Sequence, residues 1–388
     1  MSCLPGNFPI IHFTLYIVHY SFYIHLTENR KLKTENRKPE ALFMRRALEL
    51  ATLGRGQVSP NPLVGCVIVH DGKIIGEGWH RRYGGSHAEV EAIQSVRPEN
   101  ESLLPESTVY VTLEPCSHFG KTPPCADLLV EKRVRDVVVC NDDPNPLVAG
   151  NGLAKLRAAG IDVKTGVLEG EGRELNRRFF TFFEKKRPYL ILKWAEAADG
   201  FIAPSDFKPL FISGPLSRQM VHRWRTEEDA VLVGTNTARY DNPRLNVRLW
   251  TGRNPVRVII DKSLQLPKEL YCFDGSQPTL IYTLQPPQPT PHKALIYVQL
   301  SPEKPFLEAM LADLYDRQIQ SVIIEGGTYL LQSLLNLNLW DEARVFKSPV
   351  RLGQGLAAPT LRGELVDKEP VGNDWLMTYH PIARIAGQ

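Results

Sequence analysis

Three short segments constrain this chain more than any others: His87-Ala88-Glu89, Pro115-Cys116 and Cys125. One imidazole and two thiols are donor types that zinc prefers, and a catalytic zinc takes three protein ligands and keeps a fourth tetrahedral position open. The donors come from separate stretches, so the chain must return to one point three times. Ser86 can cap a helix from His87 to about Val96, with Glu89 in the capping-box position. Glu114-Pro115-Cys116 follows an apolar strand, Thr108–Thr112, and Pro123-Pro124 opens a helix that runs to Glu131. The positive end of that helix favours a thiolate at Cys125. Glu89 is placed to reach the open position without ligating the metal and to carry a proton there. A structural zinc with His118 as fourth ligand is the plainer alternative.

Around these segments the elements alternate as in a layered α/β protein. Ala41–Leu53 has helical spacing, and Val64–Val69 and Ile74–Trp79 flank the hairpin signal His70-Asp71-Gly72-Lys73. Strand Val134–Cys140, helix Gly152–Ala159, strand Ile161–Thr165 and helix Glu169–Phe183 continue the pattern. Lys185-Lys186-Arg187-Pro188 punctuates it. Strands resume at Tyr189–Ala195, Ala230–Gly234, Val256–Asp261, Thr279–Thr283, Ala294–Val298, Ser321–Glu325 and Glu342–Phe346. A length of 388 residues suits two domains, read as 40–187 and 188–388, behind an extension over 1–39. Within the extension, Ile10–Leu26 is apolar but broken by His12, His19 and His25, and it is shorter than the ~20 residues a spanning helix needs. TENRK follows twice, at Thr27–Lys31 and Thr34–Lys38. This part is expected to lie outside the folded domains, with the true start at Met44 or near it, and not to anchor a membrane. A net charge of +3 is too mild for nucleic acid, and six cysteines are too few for a disulfide framework, so a cytoplasmic protein is expected.

The order H-x-E, P-C and a further Cys is that of zinc deaminases, although here eight residues separate the cysteines. Asn61-Pro62-Leu63-Val64-Gly65-Cys66-Val67, His87-Ala88-Glu89-Val90-Glu91-Ala92, and Thr112-Leu113-Glu114-Pro115-Cys116-Ser117-His118 with Thr122-Pro123-Pro124-Cys125 resemble the bifunctional deaminase–reductases of riboflavin biosynthesis. The resemblance runs from about Glu40 to the C-terminus. It implies an α/β chain: a cytidine-deaminase-like three-layer αβα domain, then a dihydrofolate-reductase-like α/β domain. It implies zinc on His87, Cys116 and Cys125, with Glu89 shuttling protons while the 2-amino group of a phosphoribosylated diaminopyrimidinone is removed. Asn61, His80, His118 and Lys121 match positions that hold this substrate. By themselves, Asn61 is a turn residue between prolines and His80 a solvated strand end.

The second half says less alone. Ser321–Glu325, Gly326-Gly327-Thr328 and the helix Tyr329–Leu335 form a strand, a glycine pair and a helix start, which suits a phosphate or merely a tight turn. No G-x-G-x-x-G is present. The resemblance implies NADPH-dependent reduction of the ribosyl to the ribityl chain. By it, Ala195, Thr237, Asp241 and the run Gly327, Thr328, Tyr329, Leu330, Leu331, Gln332 and Ser333 contact NADPH. Lys193, Arg225, Leu245, Arg248 and Glu325 face the substrate, and Phe211 can stack on a cofactor ring. Arg225 and Arg248 suit a phosphate as forked cations, with surface salt bridges as the alternative. Lys193 either serves the hydride transfer or pairs with Asp241. Two further readings stay open: a reductase-like half that only dimerises a deaminase, and a zinc-stabilised pyrimidine-nucleotide binding protein, against which Glu89 speaks. Zinc, NADPH, a small phosphorylated pyrimidine and a homo-oligomer (dimer or tetramer) are expected; nucleic acid and membrane are not.

Overall fold

The computed structural model describes residues 39–382 except 119–122, 147, 207, 209, 287–288 and 290–291. Helix α1 (Pro39–Thr52) leads to a hairpin of β1 (Gly65–His70) and β2 (Lys73–Trp79). Asp71 and Gly72, at φ 47° and 72°, form the two-residue turn that the sequence predicts. There follow α2 (Ala88–Gln94), β3 (Thr108–Leu113), α3 (Cys125–Glu131), β4 (Asp136–Asn141), α4 (Asn151–Ala158), β5 (Asp162–Lys164), α5 (Glu169–Leu175) and α6 (Arg177–Lys185). The sheet runs β2-β1-β3-β4-β5, antiparallel as far as β3 and parallel beyond.

Alternation along the strands builds its two outer layers. Cys66, Ile68, Val109, Val111, Val137 and Val139 pack on Ala88, Ala92, Ala126, Leu129, Leu153 and Leu156 of α2, α3 and α4. Val67, Val69, Tyr110 and Val138 pack on Met44, Ala47 and Leu48 of α1. The result is three-layered, αβα. Gly65 lets α1 cross β1, since a Cβ there would lie 1.9 Å from the Ala47 carbonyl oxygen. Two local expectations fail. His87, not Ser86, is the N-cap of α2, and no side chain caps it. The helix expected over Glu169–Phe183 breaks at Asn176, whose side chain bonds both the N–H and the C=O of Leu63 at 2.8 Å.

The second half contributes β6 (Tyr189–Glu196), β7 (Phe201–Pro204), α7 (Pro215–Glu227), β8 (Ala230–Val233), α8 (Thr235–Asp241), β9 (Val256–Ile260), β10 (Thr279–Thr283), β11 (Leu295–Gln299), α9 (Phe306–Asp316) and β12 (Ser321–Ile324). After these come α10 (Thr328–Asn336), β13 (Glu342–Lys347), β14 (Gly355–Ala357), β15 (Glu364–Val371) and β16 (Asp374–His380). Nine strands lie in the order β11-β10-β9-β8-β12-β6-β13-β16-β15, parallel up to β13 and closed by an antiparallel hairpin. One face packs on Val221, Trp224 and Ala238 of α7 and α8, the other on Met310, Leu314, Leu331 and Leu334 of α9 and α10. Strands β7 and β14 form a separate pair. From α6, Arg177 reaches the buried Glu342 at 2.9 Å, and Arg178 reaches the buried Glu228 at 2.7 Å. Among the described residues no helix is long and apolar enough to cross a membrane.

Candidate active sites

His87 at the start of α2, Cys116 after β3 and Cys125 at the start of α3 converge. The ligand atoms lie within 4.8 Å of one another, with the Cys116 and Cys125 sulfurs 3.5 and 3.3 Å from His87 Nδ1. A tetrahedral zinc with Zn–S of about 2.3 Å and Zn–N of about 2.05 Å would set S···N edges of about 3.6 Å. The triangle therefore fits zinc. Without a metal, the two thiols share one hydrogen bond, which lowers the Cys116 thiol and, together with burial, raises that of Cys125. Among the described residues His118 is not part of the cluster, and it is exposed, so the reading of it as a fourth ligand is not supported.

Glu89 is 3% exposed. Burial, then the neighbouring Cys116, push its carboxyl up to about 7, with His87 opposing. A carboxyl so placed changes its protonation near neutral pH. His80 is also 3% exposed, which corrects the solvated-strand-end reading. Its Nδ1 lies 2.9 Å from the Ser86 carbonyl oxygen, and its Nε2 lies 3.1 Å from Asn61 Nδ2. Burial lowers its pKa, so the neutral ring donates to Ser86 and accepts from Asn61. Among the described residues the Asn61 amide oxygen has no partner. The His80 ring stands edge-on to His87, centroids 5.6 Å apart. Lys121 lies outside the described residues.

One residue here escapes sequence reasoning. The buried Glu114 carboxylate accepts the backbone N–H groups of Gly150 and Gly152 at 2.9 Å, and those of Asp143 and Leu153 at 3.4 Å. It thereby ties the loop before α4 to the strand end that carries Cys116.

In the second half a cavity of about 1060 Å³ opens over the C-terminal ends of β6, β8, β9 and β12. Lys193, Ala195, Phe211, Arg225, Thr237, Asp241, Leu245, Arg248, Glu325, Gly327, Thr328, Tyr329, Leu330 and Ser333 all line it. Two members of the expected run do not. Successive helical residues point in different directions, so Leu331 enters the core while Gln332 bonds the backbone of Thr360. Arg225 is committed: its guanidinium donates to both Glu325 oxygens at 2.8 and 2.7 Å and to the Asn246 carbonyl at 3.0 Å. This is a buried pair, not a surface bridge. Burial opposes ionisation of Glu325, but Arg225 and then Lys193 outweigh it and bring it down to about 2. Half-buried Lys193 is lowered by desolvation and supported by Glu325, not by Asp241. Arg248 bonds only Asn246 Oδ1, at 3.1 Å through its side chain, and has no carboxylate partner among the described residues. Helix α10 opens at Gly327 on the same cavity, and its first-turn N–H groups have no partner within the helix. A dinucleotide phosphate fits that end.

Fold and sites together define a zinc deaminase domain joined to a reductase domain. Residues 37–141 match the cytidine and deoxycytidylate deaminase zinc-binding region family, and residues 188–376 match the RibD C-terminal domain. The chain is 41% identical to the riboflavin biosynthesis protein RibD of Aquifex aeolicus, over 81% of this chain and 88% of that one. To its counterpart in Actinobacillus pleuropneumoniae it is 37% identical, over 88% and 95%. A crystal structure from Thermotoga maritima, of a diaminohydroxyphosphoribosylaminopyrimidine deaminase/5-amino-6-(5-phosphoribosylamino)uracil reductase, superposes with a TM-score of 0.81 at 40% identity, covering 89% of this chain and 99% of that one. The chain belongs to the RibD family of riboflavin biosynthesis proteins: one polypeptide carrying a zinc-dependent deaminase and an NADPH-dependent reductase.

Proposed function

We propose that the chain hydrolyses the 2-amino group of 2,5-diamino-6-(5-phosphoribosylamino)pyrimidin-4(3H)-one and then reduces the ribosyl to the ribityl chain. The observation that carries the first step is the His87–Cys116–Cys125 triangle beside a buried Glu89. In this reading the three residues hold zinc, which when bound makes water nucleophilic near neutral pH. Glu89 takes the proton from the attacking water and delivers it to the departing amine. The Asn61 oxygen, held outward by His80, accepts from a ring N–H, and His118 and Lys121 meet the phosphate.

In the second step NADPH, when bound, supplies the hydride. Ala195, Phe211, Thr237, Asp241 and the start of α10 hold the cofactor. Lys193 gives a proton as the sugar opens at C1′, and Glu325 keeps Lys193 charged until then. Leu245 packs on the substrate. Arg248 meets its phosphate, because Arg225 is spent on Glu325 and acts by holding that carboxylate in place.

We read 40–187 and 188–388 as the two domains, since each sheet draws its strands from one side of Arg187-Pro188. A cytoplasmic homo-oligomer is proposed as well. Leu365, Val366 and Trp375, exposed on the edge hairpin, support association, and light scattering measures it.

The assay supplies the diaminopyrimidinone phosphate with and without NADPH. Ammonia should appear in both cases and NADPH oxidation only after it. Ammonia without any NADPH oxidation would leave the second half a dimerisation module, and neither signal would leave a binding protein.

A further inference from the structure

The deaminase loop that ends at Asn61 rests on the reductase half. Gly56, at φ 75°, approaches the end of α7 so closely that a Cβ would lie 2.8 Å from the Thr226 carbonyl oxygen. Two carbonyls of this loop are taken up by reductase-half side chains. Arg253 Nε donates to the Gly56 oxygen at 3.0 Å, and Gln320 Nε2 donates to the Pro60 oxygen at 2.7 Å. One carboxylate organises both donors. Asp229, 8% exposed, accepts from Arg253 through Oδ1 at 2.8 Å and from the Gln320 backbone N–H through Oδ2 at 2.9 Å. Its own N–H is fixed on Ser321 Oγ at 3.0 Å.

None of the three lines the reductase cavity, so they are free of that chemistry. A smaller cavity of about 50 Å³ adjoins the loop, bordered by Gly56, Asn61, Asn176, Asp229 and Gln320. Packing alone therefore leaves the loop room to shift. Next to Pro60, Asn61 bonds Val58 through its backbone and His80 through its side chain.

We propose that Asp229, Arg253 and Gln320 are positioning residues for deamination, contributed by the reductase half, which hold the loop 56–61 so that Asn61 meets the pyrimidine ring. The inference rests on Asn61 being a substrate contact. Small misplacements of such a contact are costly because binding geometry is what the loop provides. Among the described residues, no residue of the loop 56–61 lines the reductase cavity, so the effect is expected on the deaminase.

The test uses the full-length, zinc-loaded chain with the diaminopyrimidinone phosphate. Gln320→Ala should raise the deaminase KM about fivefold, the effect of losing one neutral hydrogen bond, with kcat changed by less than about twofold. Zinc content and reductase kinetics should not move. Arg253→Ala should act on the deaminase in the same sense, and neither change should add its full effect in an Asn61→Ala background. Hydrogen exchange should quicken at 56–61 and not elsewhere in the deaminase. If Asn61→Ala raises KM but Gln320→Ala and Arg253→Ala do not, the positioning role is overturned and the Asn61 contact stands. If Asn61→Ala itself has no effect, both fall. A joint loss of kcat and zinc would mark a purely structural role and overturn the proposal too.

Discussion

Glu89 and His222 show how burial sets chemistry one side chain at a time. For Glu89, burial puts the carboxyl at about 7 beside the metal triangle, and on the proposed reading it carries the proton of the first reaction. Glu89→Gln keeps the shape and loses the proton. Deamination should fall by at least ~10²-fold, the low end for losing a general acid–base, while zinc content and reduction of the deaminated intermediate persist. Ammonia release at the parent rate would refute the assignment. For His222, burial and then Arg225 and Arg248 lower its pKa to about 4, and its Nδ1 accepts the Arg248 backbone N–H at 3.2 Å. A depressed histidine binds its proton later in the folded state than in the unfolded one. Stability should therefore fall as pH drops from about 6.5 toward 4. In urea titrations across that window, His222→Gln should flatten the slope by up to one proton.

At the scale of elements, α1 gives a direct test. Its first turn precedes Met44 and is already working: Ala41 is buried, Phe43 packs on Tyr110 with ring centroids 5.3 Å apart, and Glu40 pairs with Lys164 at 2.5 Å. A chain beginning at Met44 should melt about 3–6 °C below one beginning at Pro39, for a loss of about 1–2 kcal/mol of packing. Equal melting temperatures would show the turn to be idle. The strands that sequence makes plain are those buried on both faces, such as Val256–Ile260 and Thr279–Thr283, whose apolar runs need no period. Strand β15 hides because it is an edge, with Glu364, Asp367, Lys368 and Glu369 where an apolar face would be. Its turn, Gly372-Asn373 with Gly372 at φ 63°, was the available signal. Helix α7 hides for another reason: it buries Ser217, His222, Arg225 and Thr226 as well as apolar residues, which blurs its period. The convergence of His87, Cys116 and Cys125 was legible because zinc restricts residue type. Glu114, Asp229 and Gln320 were not, because they act on backbone groups that every residue carries.

For the whole molecule, the nine-stranded sheet and the deaminase are joined through charge. The half-buried Arg177 and Arg178 of α6 meet the buried Glu342 and Glu228 at the base of the second sheet. Losing either arginine would leave a buried carboxylate short of a partner, which is costly, so these pairs tie α6 to the second sheet. The far end of that sheet carries the cavity of about 1060 Å³, above the usual range for one small ligand. Lys193 and Arg248 line it together with Thr328 and Tyr329. On the proposed assignment, electron donor and acceptor would lodge side by side in a ternary complex, with no reduced form of the protein between them. Initial rates measured against either partner should give double-reciprocal lines that intersect; parallel lines would mean that the two take turns.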